Sequence, residues 1–481
     1  MQQLATDHDG LSVLDRAFLE LEDAAPAAHM HLGAVLVLDP RPGGGPDLAS
    51  LRERVRSRIA AVPRFDERLS LAHVDGLRVP RWVPDHGFRI ARHVRRAALP
   101  DPGDARELER WCGAFFSQPL DRARPLWEVV LVERLAGGGT AIAVKLHHCL
   151  ADGVGALSLA EVFADGAPTQ RPTAPATGPQ RSLPVEAVET AARALLHPDA
   201  SLGAARAAAG LVREGLLGHG PGSVLNGPVG PRRSLTSVEL PLSELQRIES
   251  ALGGTVNDAA LALVAGGLRR LLRHRGDPLP DDGVCAMVPV DVRVGDGAAL
   301  GNRISSIFVR LPVALDGATA RHAAIRAATS GRKRGGQASG VGGLVRISAL
   351  VPPFVHQQLV RRAITPRLFG LTVTNVRGPE RRLSILGAGL RTVIPVVPLG
   401  PEHRLGVALI SCAGTVTFGL VADEDAIPDL DVVADGIRAE LAALRRAARR
   451  VSGASAAAAS ARRRRRRAAR STTPTAPAGR R

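Results

Sequence analysis

From Leu11 to about Asp165, apolar runs alternate with amphipathic stretches. Residues 29–39 (HMHLGAVLVLD) form a near-continuous apolar run and predict a buried strand. In residues 48–59, Leu51, Val55 and Ile59 recur every fourth position, the spacing of one helix face. Residues 128–132 and 141–146 are two aliphatic runs separated by Ala136-Gly137-Gly138-Gly139, which reads as a hairpin-like break. Residues 167–184 are rich in Pro, Thr and Ala and read as a linker. Ala/Leu-rich helical stretches follow (185–196 and 202–217), closed by a Gly/Pro-punctuated segment over 218–233. Strands and helices alternate again from Thr236 to about Ala448. Beyond them, alanines, an arginine run and a Thr/Pro/Gly end hold too little apolar surface to fold, and predict disorder. The chain thus divides into an N-terminal half (1–165), a linker with helices (166–235), a C-terminal half (236–450) and a disordered Arg-rich tail (451–481). The pattern is that of an α/β (α+β) protein with two similar halves.

Composition narrows the function classes. Of 481 residues, 45% are hydrophobic and 23% charged, the balance of a globular chain rather than a disordered one. Four scattered cysteines (Cys112, Cys149, Cys285 and Cys412) without a CxxC pair speak against a disulfide scaffold and against a zinc site built on them. Aromatics make up 3%, with no tyrosine, which leaves little for a base-stacking surface. The net charge of +17 resembles a nucleic-acid signature until it is divided by region. Residues 451–481 hold nine arginines and no acid, so everything before them carries only +8. The N-terminus lacks a basic region followed by an apolar core, and no run approaches the ~20 apolar residues of a membrane helix. The expectation is a cytoplasmic protein whose membrane contact is peripheral.

The sharpest chemistry lies in residues 141–163 (AIAVKLHHCLADGVGALSLAEVF), a buried strand running into His147-His148, a loop reaching Asp152-Gly153, and a helix. Strand ends followed by a glycine turn project side chains into a cleft from a rigid backbone. A neutral histidine there takes a proton from a hydroxyl or thiol. A carboxylate four residues on can pin the loop by pairing with an arginine, and Gly153 lets the backbone turn. The competing reading is structural, since isolated strand-end histidines commonly serve packing. Adjacent strand residues point to opposite faces, so the pair is a poor metal site and only one of the two faces the cleft. The same divergence argues against Cys149 as a nucleophile.

His147, His148, Asp152 and Gly153 form an HHxxxDG pattern, and the chain around them resembles the bacterial wax ester synthase/diacylglycerol acyltransferase family. The likeness runs in order from LSVLDRAFLELE (11–22) and HMHLGAV (29–35) through the PLW motif at Pro125, Leu126 and Trp127 to the Asn-Asp pair, Asn257 and Asp258. MVPVDVR (287–293), LGNRIS (300–305), TNVRGP (374–379) and FGLVADEDAIPDLD (418–431) continue it. The resemblance implies two chloramphenicol-acetyltransferase-like domains joined by a crossover linker, with an active-site tunnel at their interface. It implies transfer of a long-chain acyl group from acyl-CoA to diacylglycerol or a long-chain alcohol, with acyl-CoA as co-substrate and no other cofactor. His148 is then the general base, His147 a support, Asp152 mainly structural, and Asn257 a positioning or oxyanion-stabilising group. Pro125, Trp127, Gly153 and Asp258 join the substrate-binding set, with Trp127 also readable as a packing anchor and Asp258 as a helix cap. Arg232, Arg293 and Arg303 are candidate partners for the CoA phosphates.

Departures accompany the likeness. Ser411-Cys412-Ala413-Gly414 stands where many relatives carry an aromatic, which bears on pocket width. The run Arg462 to Arg467 is no expected family feature. It reads as a solvated tail, as attachment to an anionic membrane or lipid droplet, or as nonspecific nucleic-acid contact, the last being disfavoured. Against the lipid acyltransferase stand a carrier-protein-dependent acyltransferase on the same scaffold and an adaptor driven by the basic tail.

Overall fold

Every residue of the segment Thr140–His147 is buried, and the N-terminal half is built around it. The computed structural model describes residues 11, 13–59, 62, 64–74, 77–150, 163–166, 223–291, 304–334 and 368–471. Helix α1 (Val13–Ala24) precedes strand β1 (His31–Leu38), α2 (Leu48–Ile59) and the hairpin β2 (Glu67–Val74) and β3 (Leu77–Pro84). Then come α3 (Ile90–His93), β4 (Val94–Ala98), α4 (Ala105–Ser117), β5 (Trp127–Glu133) and β6 (Thr140–His147). The later chain gives β7 (Arg233–Pro241), α5 (Leu242–Leu252), α6 (Val256–Arg275), β8 (Val284–Asp291), β9 (Ile304–Leu311) and α7 (Ala318–Arg334). It ends with β10 (Leu371–Arg377), β11 (Ser384–Ile385), β12 (Ala388–Val396), β13 (Leu405–Cys412), β14 (Thr415–Asp423) and α8 (Leu430–Ser471).

The expected hairpin over 128–146 is present as β5 and β6, antiparallel with Trp127 opposite Leu146, and its turn places Gly137 at φ 79°. On the other side β1 runs antiparallel to β6, with His31 opposite His147. A strand flanked on both edges and covered on both faces must read as a continuous apolar run. The exception, Lys145, is fully buried and donates from Nζ to the carbonyls of Phe115 and Gln118 at 3.0 Å each, with Glu128 at 3.2 Å. Its ammonium thereby caps the C-terminal end of α4, where helix carbonyls lack partners.

Two six-stranded sheets result, ordered β11-β12-β1-β6-β5-β4 and β7-β14-β13-β10-β8-β9. Two sequence boundaries need correction. The division at 235/236 cuts β7 in two, and the C-terminal half does not keep all its strands. Residues 384–396 cross into the first sheet, where β12 pairs antiparallel with β1, Gly33 opposite Val396 and Leu36 opposite Val393. An apolar run shows that a strand exists but not which edge it completes; here it covers the otherwise open edge of β1. The halves are therefore interlocked by strand exchange.

The seam is packed and hydrogen-bonded. Thr392 of β12 and Thr417 of β14 share a buried hydroxyl hydrogen bond at 3.0 Å. Glu109 of α4 accepts from the N–H and hydroxyl of Ser237 at 2.7 and 2.9 Å. Arg233 is buried at the same junction and donates to the carbonyl of Ala27. Behind the second sheet, α6 lies against α8, and Gly266, Gly267 and Gly436 let the two backbones approach closely. The buried pair Arg321 and Glu440, 2.8 Å from Nε to Oε1, joins α7 to α8. Among the described residues no single helix is long and apolar enough to cross a membrane. The apolar α6 is a core helix, buried from Asp258 through Arg269.

A second correction concerns the tail. The helix α8 continues to Ser471 through the arginine run expected to be disordered. Alanine and arginine are both strong helix formers, so a segment without a core can still extend an anchored helix. At the seam, Gly419 has no room for a side chain: a Cβ there would overlap the carbonyl oxygen of Pro395 in the exchanged strand. Gly419→Ala is expected to lower stability by about 2–3 kcal/mol in urea unfolding. A change below about 0.5 kcal/mol would show that the two sheets are not so closely apposed.

Candidate active site

At the end of β6 the chain is pinned on both sides. His147 N–H donates to the Leu126 carbonyl at 3.0 Å, and His148 N–H donates to the Met30 carbonyl at 2.8 Å. Their rings meet different surroundings, as the alternation of a strand requires. His147 is buried, and its Nδ1 accepts the Cys149 N–H at 3.1 Å. The ring proton of a neutral His147 therefore sits on Nε2, which donates to Glu22 Oε2 at 3.0 Å. That carboxylate also accepts the Met30 N–H at 2.9 Å and faces Arg122 at 3.1 Å. Burial opposes ionisation of Glu22. The hydrogen bond from His147, the Met30 N–H and Arg122 outweigh it, holding the carboxyl well below the usual range.

His148 faces α1, where its ring stacks on Phe18 with centroids 3.9 Å apart and planes at 22°. Burial pushes its pKa down to about 4, opposed by a hydrogen bond with its own main chain and reinforced by the neighbouring His147. The imidazole is therefore neutral throughout the physiological range. At the start of β1, His31 and His29 just before it extend the group, stacked at 5.2 Å, with His31 edge-on to His147 at 6.2 Å. Burial lowers the pKa of both.

Cys149 is buried in the N-terminal core, and its thiol is pushed well above the ordinary value, by burial first and then by Asp15. A protonated thiol in apolar packing is a poor nucleophile, in line with the sequence argument. Asp152 and Gly153 lie outside the described residues, as do Arg293 and Arg303. Asn257 occupies the first turn of α6, and its Oδ1 accepts from Asn375 Nδ2 of β10 at 3.2 Å. The strand beside β10 is β13, whose Ile410 and Cys412 pack against the core that contains Cys149 and Leu150. Asn375 itself stands opposite Leu409 and shares the face of Leu371 and Val373, which packs into the core of the second half.

Three members of the expected substrate-binding set make structural contacts in the fold. Asp258 forms a capping box with Thr255, accepting its N–H at 2.8 Å, and also accepts the Thr329 hydroxyl at 2.7 Å. Trp127 is fully buried, donates from Nε1 to the Phe65 carbonyl at 2.7 Å and stacks on Phe65 at 5.1 Å. Pro125 is buried just before it, its carbonyl accepting the Trp127 N–H at 2.9 Å. Arg232, a candidate for CoA phosphates, is engaged by Asp425, with Glu424 at 3.6 Å. A cleft of about 320 Å³ at the head of α6 is lined by Thr255, Asp258, Arg326 and Thr329.

The residues missed by sequence reading are Phe18, Glu22 and Asn375. Phe18 and Glu22 stand four apart on α1 and share a face, but nothing local says that this face meets a strand end some 125 residues later. Replacing Glu22 by Ala leaves the Met30 N–H and the His147 Nε2–H without their acceptor and Arg122 with Asp23 alone. The expected loss is about 2–4 kcal/mol by urea unfolding, with Gln intermediate. Because the folded-state pKa is depressed, this contribution is present above the ordinary value of 4.5 and is lost as pH falls below it. The gap between wild type and Glu22→Gln should therefore close in acid; a gap that persists there would point to packing rather than charge.

Comparisons with known proteins follow this geometry. Residues 11–260 match the model of the wax ester synthase/diacylglycerol acyltransferase catalytic domain, and residues 300–445 match the WS/DGAT C-terminal domain. A putative diacylglycerol O-acyltransferase of Mycobacterium bovis is 33% identical over 457 residues, covering 92% of this chain and 96% of the relative. A probable diacylglycerol O-acyltransferase of Mycobacterium tuberculosis matches equally, at 33% over 457 residues with the same coverage of 92% and 96%. Among solved structures, the wax ester synthase/diacylglycerol acyltransferase from Marinobacter aquaeolei superposes with a TM-score of 0.67 at 26% identity, covering 91% of this chain and 99% of that one. The first condensation domain of the calcium-dependent antibiotic synthetase gives 0.62 at 21% identity over 91% and 96% of the two chains, a likeness of fold. With both of its domains matched in order, the chain belongs to the wax ester synthase/diacylglycerol acyltransferase family of acyltransferases.

Proposed function

We propose that this chain moves a long-chain acyl group from acyl-CoA to the hydroxyl of diacylglycerol or a long-chain alcohol, with His148 as general base. The observation that carries the reading is a neutral, desolvated imidazole at the end of β6, beside the seam between the two sheets. The His148 imidazole takes the hydroxyl proton as the oxygen attacks the thioester carbonyl. The new C–O bond forms, the C–S bond breaks, and the imidazolium returns its proton to the CoA sulfur. No net charge is created, so a site poor in water suffices and hydrolysis is suppressed. Asn257, held by Asn375 at the N-terminal end of α6, supplies an amide and nearby helix N–H groups for the developing oxyanion. Asp152 and Gly153 are assigned by motif, as loop-holding carboxylate and turn. A tunnel along the seam would admit the two substrates from opposite sides.

The lipid nature of these substrates makes the membrane face the natural place of work. Peripheral contact with the inner face of an anionic membrane, or with lipid inclusions, fits the arginine-rich end of α8, where each basic residue near the surface contributes about 1 kcal/mol.

With palmitoyl-CoA and diacylglycerol or hexadecanol, His148→Ala should lose about a thousandfold or more of thioester-release activity, while Cys149→Ala keeps most of it. The reverse pattern would overturn direct transfer. Because the folded-state pKa of His148 is lowered to about 4, the base stays unprotonated as pH falls through 6.5. The acid limb of kcat/KM should therefore lie near 4, read in brief assays of pre-equilibrated enzyme. A limb near 6.5 that shifts in variants of Phe18 would show that the ring is solvated instead.

A further inference from the structure

Phe18 occupies the middle of the face that α1 turns towards the end of β6. Asp15, three residues earlier, is buried, faces Arg64 at 3.9 Å and lies near enough to Cys149 to act on its thiol. Glu22, four residues later, is held by Met30 and His147. Positions three, four and seven apart share one side of a helix, so two buried carboxylates bracket the aromatic ring and fix its place. The next residue, Leu19, packs in the N-terminal core instead. Phe18 and His148 each keep some accessible surface, whereas Ala17, Leu19, His147 and Cys149 beside them are buried. The stacked pair thus stands at the margin of the core, as a base that must meet a substrate requires.

Rings 3.9 Å apart at 22° cover one face of the imidazole and leave its edge free. The lone pair that accepts a proton lies in the ring plane, so an alcohol can meet it edge-on while the covered face admits no water. We propose that Phe18 is a specificity-determining residue of the acyl transfer, shielding His148 so that the acyl group passes to an alcohol rather than to water. The inference rests on the reading of His148 as general base. With that face uncovered, water can take the acceptor's place. Its oxygen attacks the thioester carbonyl, the C–O bond forms, the C–S bond breaks, and the proton taken by the imidazole passes to the CoA sulfur. The products are then free fatty acid and CoA, and no other reactant is needed. Water enters an opening far too small for a long-chain alcohol, so the cover over the base governs the competition between them.

The test measures ester and free fatty acid together, from palmitoyl-CoA and hexadecanol with the full-length protein. Phe18→Ala should raise the ratio of acid to ester about tenfold and Phe18→Leu by less, whereas Phe18→Tyr, which keeps a flat ring, should stay near the wild-type ratio. Leu19→Ala removes core packing one residue away; it should lower the urea midpoint and leave the ratio unchanged. If Phe18→Ala does not fold, Phe18→Leu against Phe18→Tyr makes the same comparison. An unchanged ratio in Phe18→Ala, with both products falling together, would overturn the proposal, and so would an equal rise in Leu19→Ala. His148→Ala should abolish both products, alone and combined with Phe18→Ala. Ester formation that survives His148→Ala would overturn the base assignment and this inference with it. Loss of both products in His148→Ala beside an unchanged ratio in Phe18→Ala would remove the role of Phe18 and leave the base assignment standing.

Discussion

A single buried carboxylate, Glu22, accepts from the Met30 main chain and the His147 ring while facing Arg122, and the candidate site depends on it. Removing a charge from water costs several kcal/mol, so an ionised Glu22 persists only while its donors stay in place. Those donors come from the approach to β1, the end of β6 and the loop before β5. The carboxylate therefore fixes α1 against the sheet at the rung where His31 faces His147. Consequences pass to the next residue. The Met30 carbonyl holds the His148 N–H, and with His147 committed to Glu22 the His148 ring packs one turn earlier on α1, against Phe18. One face of α1 thus anchors the first histidine and stacks on the second.

Desolvation sets the chemistry of that second ring. An imidazole with a pKa of about 4 is a weaker base than one in water, yet it is neutral whenever substrate arrives. The proposed direct transfer from thioester to alcohol suits such a base, because the proton taken from oxygen would be handed to sulfur within the same turnover. A well-hydrated histidine would gain basicity but admit water as a competing acceptor. The strand exchange serves the same end. With β12 laid beside β1, and Thr392 bonded to Thr417, the seam behind the histidines cannot part without breaking a sheet.

Local features of the sequence foretold much of this. The buried strand ending in His147-His148, the β5–β6 hairpin, the helix over 48–59, the packing role of Trp127 and the capping role of Asp258 follow from runs, spacings and side-chain chemistry within a few residues. What escaped is non-local. The apolar run of β12 announces a strand without naming its partner, and Glu22 looks like any other acid on an amphipathic helix until α1 is docked. The arginine run was misjudged for a different reason: lack of a core was taken to mean lack of helix, although alanine and arginine favour helix once α8 supplies a nucleus.

The departure at Ser411-Cys412-Ala413-Gly414 acquires a physical meaning from the same seam. Ala413 and Gly414, at φ 46° and 85°, form the two-residue turn between β13 and β14, a conformation that matches the right-handed twist of the paired strands. The turn fixes where Cys412 points, and Cys412 packs with Ile410 against the core of the opposite half. Cys412 places a small thiol at that contact. Because one wall residue shifts substrate preference by only about 1–3 kcal/mol, the proposed tunnel along the seam would select its acceptor through many positions rather than through Cys412 alone.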